Sequence, residues 1–154
     1  MSPLIIKDLQ SLREFVGQEI GVTEWFLIRQ ERIEQFAEAT EDRQWIHVDR
    51  ERAGKESPYG STITHGFLTL SLISHFVGEL IQIPGSVRLA VNYGLNRVRF
   101  PAAVPAGSRI RARVSMLDLK ELPDSLDATY SVTIEIEQSE KPACVAEWIV
   151  RYYA

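Results

Sequence analysis

Residues 65–82 carry apolar side chains at nearly every position around a helical wheel. One narrow stripe of small or polar side chains consists of Ser71, Ser74, His75, Gly78 and Gln82. The pattern predicts a buried helix over residues 66–82, with the single histidine His75 as a hydrogen-bonded core residue. At 1.5 Å per residue this helix would be roughly 25 Å long, which is too short and too interrupted for a membrane span.

Segments that alternate apolar and polar residues follow this helix. Residues 87–93, 110–116 and 130–136 predict half-buried antiparallel strands, with a bulge at Gly94. The last run, residues 143–153, is apolar on both faces, so it predicts a central strand or a subunit contact. The chain therefore predicts one α+β domain over residues 1–154, in which an antiparallel sheet curls around a core helix.

The first third of the chain predicts shorter elements. Residues 7–16 fit a surface helix that stops at Gly17, residues 19–28 a strand, and residues 30–39 a second helix. Residues 40–63 predict a mostly irregular loop with one helical turn capped by Asp49. An irregular loop of this length in a compact domain is usually functional or disordered, and the apolar residues within it argue against disorder.

Composition excludes several classes of function. The net charge of −4 and the lack of a basic cluster beyond Arg109, Arg111 and Arg113 argue against nucleic-acid binding. Cys144 is the only cysteine, so the chain has neither an internal disulfide nor a cysteine-based metal site, which favours a reducing cytoplasm. The N-terminal residues lack the pattern of a secretion signal. The three histidines lack the spacing of metal ligands.

Two short motifs carry candidate chemistry. Asp42 and His47 place a carboxylate and an imidazole five positions apart, although they could also be a turn residue and an exposed loop histidine. Gly66 opens the predicted core helix, where its backbone N–H could bind an oxyanion. The residues before it, Thr64 or His65, could simply cap the helix.

Taken together, these motifs resemble the MaoC-like hydratase family, which includes the R-specific enoyl-CoA hydratases, and most closely its NodN-type branch. The resemblance covers nearly the whole chain and rests on Asp42 and His47 together with residues 48–53, 60–68 and 93–101. It implies the hot-dog fold, a long helix wrapped in an antiparallel sheet. It also implies a dimer whose two sheets join and substrates that are acyl thioesters of coenzyme A.

The resemblance also assigns site residues. Asp42 and His47 match the catalytic pair, Gly66 the residue whose N–H binds the thioester oxygen, and Ser74 a serine that supports the aspartate. The family more often has glycine before the aspartate and Asn-Pro after it. Here Glu41, Gln44 and Trp45 stand at those positions. Gln44 can still donate and accept hydrogen bonds, so catalysis is expected, while the departure leaves the acyl-chain preference open.

The function that follows is an (R)-specific enoyl-CoA hydratase, which adds water reversibly to a trans-2-enoyl thioester. Asp42 and His47 would hold the water, without a decision on which removes the proton, and Gly66 would hold the enolate. No cofactor is expected, since coenzyme A belongs to the substrate. Trp45 could line the acyl pocket, and Arg97 and Arg99 could meet the phosphates of coenzyme A.

Two alternatives stay open at this point. A hot-dog thioesterase would need a carboxylate on the core helix, where Glu79 is the only one. A non-catalytic acyl-CoA-binding module would show no turnover. The expected partners are an acyl-CoA and a second copy of the chain, without nucleic acid or membrane. The homodimer is expected because residues 143–153, apolar on both faces, would otherwise leave an aggregation-prone edge.

Overall fold

The computed structural model describes residues 2–154. The helices are a 3₁₀ helix at Leu9–Phe15, α1 (Gln30–Thr40), α2 (Trp45–Val48), α3 (Arg50–Glu56), α4 (Gly66–Ser71) and α5 (Ile73–Leu80). The strands are β1 (Leu4–Ile5), β2 (Glu19–Val22), β3 (Phe26–Leu27), β4 (Ile81–Gln82), β5 (Leu89–Arg99), β6 (Arg109–Glu121), β7 (Leu126–Ile136) and β8 (Cys144–Tyr153).

The main sheet is antiparallel and runs in the order β2-β6-β7-β8-β5, with β3 also paired to β6. Alternate side chains of β6, β7 and β8 are buried, and they form one hydrophobic cluster with the apolar side of α4 and α5. Phe76 of α5 and Tyr130 of β7 are fully buried within it. The predicted α+β architecture, a sheet around a core helix, is confirmed.

The core helix is interrupted once and ends earlier than predicted. Leu72 separates α4 from α5, and its backbone N–H is shared between the carbonyls of Leu68 and Thr69. The chain leaves the helix after Leu80 and pairs with β1 instead. The expected burial of His75 was wrong, because its ring is exposed beside Glu79, with Nε2 3.3 Å from the carboxylate.

Earlier elements are shorter than the sequence predicted. The first helix is a 3₁₀ helix that buries Leu9 and Leu12 against the core and leaves Gln10, Arg13 and Glu14 exposed, as predicted for an amphipathic surface helix. The strand predicted over residues 19–28 is divided into β2 and β3. Residues 40–63 are more helical than expected, since α2 and α3 both lie there, and Asp49 caps α3 by accepting a hydrogen bond from the N–H of Arg52.

The C-terminal strand β8 is central, with β7 on one side and β5 on the other. The predicted alternative of a central strand is therefore confirmed, and the dimer argument, which treated residues 143–153 as an exposed edge, is wrong. One edge of the sheet is formed by β2 and β3, and the other by β5. Strand β5 is exposed along nearly its whole length and has register shifts on both sides of Gly94, as the predicted bulge requires. Over residues 2–154, no helix has the length and apolar character needed to cross a bilayer.

Candidate active site

Hydrogen bonds hold the loop of residues 42–47 against the segment that leads into α4. The N–H of Ile63 donates to the carbonyl of Ile46 at 3.0 Å, and the Nδ1 of His47 lies 2.7 Å from the carbonyl of Ile63. In the same segment, the Nε2 of His65 lies 3.0 Å from the carbonyl of Asp42. These bonds place Asp42 and His47 beside the start of the core helix.

Gln30 of α1 stabilises the same contact between the loop and the segment before α4. Its buried side-chain amide donates from Nε2 to the carbonyl of His47 at 2.7 Å, and its Oε1 accepts from the hydroxyl of Thr62. Gln30 therefore joins both sides of the contact to the first turn of α1.

Asp42, His47 and His65 form one cluster. A carboxylate oxygen of Asp42 and a ring nitrogen of each histidine all lie within 4.8 Å of one another. A water molecule that makes two hydrogen bonds of about 2.8 Å can bridge groups up to about 5.6 Å apart. The Asp42 carboxylate, which is 51% exposed, and the His47 ring can therefore hold one water between them.

The tautomer of His47 follows from its backbone partner. A carbonyl oxygen only accepts, so the short contact to Ile63 puts the proton on Nδ1 and leaves the Nε2 lone pair free in the neutral ring. Burial lowers the pKa of His47, the bond to Ile63 opposes this shift, His65 lowers the pKa further, and Asp42 raises it. The net effect favours a neutral imidazole able to accept a proton.

Gly66 is the first residue of α4, where backbone N–H groups have no partner within the helix. Gly66 and His47 line the same cavity of about 290 Å³, together with Tyr59, Ile63, Thr64, Thr69, Phe100, Pro101, Ala102, Ala103, Val104 and Ala143. A Cβ at Gly66 would lie 3.2 Å from the ring of Phe100. The missing side chain keeps the approach to this N–H open.

The chain matches the MaoC-like domain over residues 12–138. It belongs to the MaoC-like family. The 3-hydroxyacyl-thioester dehydratase Z of Mycobacterium tuberculosis strain H37Rv is 49% identical over 149 residues, which covers 96% of this chain and 97% of that protein. Nodulation protein N of Rhizobium leguminosarum bv. viciae is 47% identical over 135 residues, 87% of this chain and 84% of that protein.

A solved (R)-hydratase from A. caviae aligns with a TM-score of 0.67 and 25% identity, and the alignment covers 88% of this chain and 94% of that chain. These similarities confirm the hot-dog fold and the predicted likeness to the NodN branch. As a MaoC-like chain with relatives named dehydratases and hydratases, the protein is a hydro-lyase.

The backbone at Glu41 gives a reason for the glycine that the MaoC-like family more often has before the aspartate. Glu41 adopts a left-handed conformation with φ of 63°. Glycine reaches this region without steric cost, whereas other residues are strained there. In this chain Arg43 forms ion pairs with both Glu41 and Glu38, and these contacts hold the strained turn. The departure at Glu41 thus keeps the backbone that places Asp42.

The structure does not bring every residue assigned from the sequence to the MaoC-like site. In residues 2–154, the Oγ of Ser74 donates to the carbonyl of Ser71 at 3.4 Å rather than to Asp42, so its predicted support of the aspartate is not formed within one chain. Gln44 approaches Asp42 only through its backbone N–H, 3.5 Å from Oδ1.

The predicted substrate contacts also lie elsewhere. Trp45 packs under the guanidinium of Arg52, whose carbon is 4.3 Å from the ring centre, and does not line the cavity with His47. Arg97 and Arg99 are exposed on β5, where Arg99 donates to the carbonyl of Val98. None of the three lines the cavity that contains His47 and Gly66.

Geometry argues against a metal ion in the cluster. The rings of His47 and His65 are stacked, with centroids 3.7 Å apart and planes 22° from parallel. Their lone pairs therefore lie in nearly parallel planes and do not converge on one ion, as tetrahedral or octahedral ligation requires. The cluster suits a shared proton or water better than a cation.

Sequence reasoning missed three residues of this site. His65 was interpreted only as a possible cap, but its side chain makes no capping bond and contacts Asp42 and His47 instead. Gln30 lies 12 residues before Asp42, and Phe100 lies 34 residues after Gly66, so neither is part of the two motifs. The sequence offered one signal for these residues: Gln30 lies on the buried side of α1 with Ile33 and Ala37, where an apolar side chain is more usual.

We expect NMR titration of the His47 ring to give a pKa below the ordinary value of about 6.5. Below about pH 6.5 the unfolded chain binds a proton at His47 before the native chain does, so this group makes the protein less stable as the pH falls. Asp42→Asn should lower the pKa of His47 further, because the carboxylate that favours its cation is lost. An increase in that pKa would contradict this electrostatic account.

Proposed function

We propose that the chain is an (R)-specific enoyl-CoA hydratase that adds water reversibly to trans-2-enoyl-CoA. One observation carries this proposal: His47 and Gly66 line the same cavity, and the Asp42 carboxylate lies within 4.8 Å of the cluster nitrogens beside it. The site therefore offers an acid–base pair and an oxyanion donor together. The name of the mycobacterial relative, a 3-hydroxyacyl-thioester dehydratase, supports the substrate class.

The chemistry assigns each group a role. Water held between Asp42 and His47 attacks C3 of the enoyl thioester while the pair accepts its proton and returns a proton to C2. Negative charge develops on the thioester oxygen and is stabilised by the N–H of Gly66, reinforced by the helix dipole. Acid–base catalysis of this kind is worth about two to four powers of ten in rate, and one oxyanion donor about two to three.

The thioesterase alternative loses its candidate carboxylate. Glu79 is exposed near the end of α5, where it pairs with His75, and it does not line the cavity that contains His47. A water activated there would not meet a thioester held at Gly66. Hydration is therefore favoured over hydrolysis.

We also propose a homodimer formed through the β5 edges. Four large side chains of β5 are exposed, namely Leu89 (47%), Val91 (37%), Tyr93 (56%) and Leu95 (43%). Phe67 of α4, 70% exposed, borders the same surface across a cavity of about 270 Å³ that also contains Ser74. A long apolar edge of this kind favours aggregation unless a partner covers it. Antiparallel pairing of two copies would join both sheets.

Asp42→Asn and His47→Gln should each keep the fold but reduce the rate of crotonyl-CoA hydration at least about a hundredfold, because each removes one member of the acid–base pair. Loss of enoyl-thioester absorbance measures the rate. His75→Gln is the matched control, since this exposed histidine lies outside the site and should leave the rate unchanged. Near-normal turnover in either site variant would refute the mechanism.

Gly66→Ala should lower kcat/KM for crotonyl-CoA about tenfold or more, because a methyl group intrudes where the thioester oxygen binds. Alanine favours helix by up to about 1 kcal/mol over glycine, and Gly66 has no positive φ, so folding should persist. The methyl group would also press on Phe100, so the same change is made in a Phe100→Ala background. Full recovery there would mean that the methyl group only displaces the ring, against the oxyanion role.

Leu95→Glu should convert the dimer to a monomer in sedimentation experiments at micromolar concentration. In a two-fold symmetric dimer the new glutamate is present in both copies, so two negative charges would be buried in the interface without a counterion. Val145→Glu is the control, since Val145 is similarly exposed, at 37%, but belongs to the central strand β8. A wild-type protein that sediments as a stable monomer would refute the proposed dimer.

A further inference from the structure

The His65 imidazole is buried between two other rings. It is 2% exposed and stacks on His47 with ring centroids 3.7 Å apart. The ring centroid of its other neighbour, Phe36 of α1, lies 4.9 Å away. It is absent from the lining of the cavity that contains His47 and Gly66. His65 therefore contacts a proposed catalytic group without reaching the substrate itself.

One polar contact connects His65 to the other proposed catalytic group. Because the carbonyl of Asp42 can only accept, the Nε2 of His65 carries the proton and donates to it at 3.0 Å. The carboxylate of Asp42 is more distant, with Oδ2 4.0 Å from the same nitrogen. The ring thus fixes the backbone of Asp42 and leaves its carboxylate free for water.

Packing alone does not account for a histidine here. The Nδ1 of His65 is buried and has no hydrogen-bond partner among residues 2–154. Burying such a nitrogen without a partner is unfavourable, and phenylalanine or leucine would avoid that cost. The other ring nitrogen, Nε2, which is bonded to the carbonyl of Asp42, is the feature that distinguishes this ring from an apolar side chain.

The backbone of His65 completes the connection. Its carbonyl accepts from the N–H groups of Leu68 and Thr69, which begins the helix, and the next residue is Gly66. One residue is therefore bonded to Asp42, stacked on His47 and covalently joined to the proposed oxyanion donor.

We propose that His65 is a positioning residue that fixes the distances from Asp42 and His47 to the N–H of Gly66. This inference rests on the proposed hydratase activity. His65 acts through the other three residues and transfers no proton. Misplacement of reacting groups by about 1 Å can reduce a rate about a hundredfold, so a loss of this contact should affect the chemical step.

The test compares His65→Phe, which keeps a stacked ring but loses the donor, with His65→Gln, whose amide can still donate to Asp42. For crotonyl-CoA we expect kcat to fall at least tenfold in His65→Phe with KM within about threefold of wild type. The kcat of His65→Gln should be at least threefold higher than that of His65→Phe. His75→Gln serves as a control for removing an exposed histidine. Binding of unreactive butyryl-CoA reports the fraction of competent sites.

A wild-type kcat in folded His65→Phe would overturn the proposal, as would an equal loss in both variants or a loss that matches the fraction of unfolded protein. If His65→Phe does not fold, the test rests on His65→Gln alone. If neither variant folds, His65 is a stability residue only and the proposal is overturned. The NMR signals of the His47 ring give a readout without turnover. They should shift and broaden in His65→Gln even if the wild-type protein had no hydratase activity, which separates failure of this inference from failure of the proposed function.

Discussion

The candidate site depends on the contact between residues 42–47 and residues 62–65. Asp42 belongs to an exposed turn after α1, and no packed side chain of its own fixes its position. Its place is set by bonds from His65 and, through His47, from Ile63 and Gln30. A hydrogen bond of this type contributes only about 1 kcal/mol to stability, but several of them in a water-poor contact determine one geometry.

The hydrophobic core gives this contact its rigidity. The segment of residues 62–65 leads directly into α4, and the buried face of α4 and α5 packs against a continuous antiparallel sheet. A close-packed core does not deform gradually, so the start of α4 is a fixed platform. Strand β5, at one edge of the sheet, lacks such cover in one chain, and its exposed apolar side chains form the proposed dimer surface.

Two members of the cluster, His47 and Asp42, lie in different environments. His47 is 7% exposed and its pKa is lowered by burial, while the Asp42 side chain stays half exposed to solvent. A neutral imidazole beside a solvated carboxylate suits the sharing of one water molecule. The ring of His65 is stacked on His47, so the neighbour that packs on this ring also contributes to its lowered pKa.

The sequence by itself determined the periodic elements. A helix apolar on most sides and alternating strands are local features that follow from spacing along the chain. The motifs at Asp42, His47 and Gly66 became candidate site residues through the family resemblance, because their spacing alone also fits ordinary turn, loop and cap residues. Tertiary structure alone decided that β8 is central and β5 is the edge, since strand order depends on contacts between distant segments. It also decided that the Ser74 hydroxyl bonds to Ser71, that Trp45 packs on Arg52 and that His65 joins the cluster. A side chain's partner across 23 residues is set by how the loop folds back, and no local spacing encodes it.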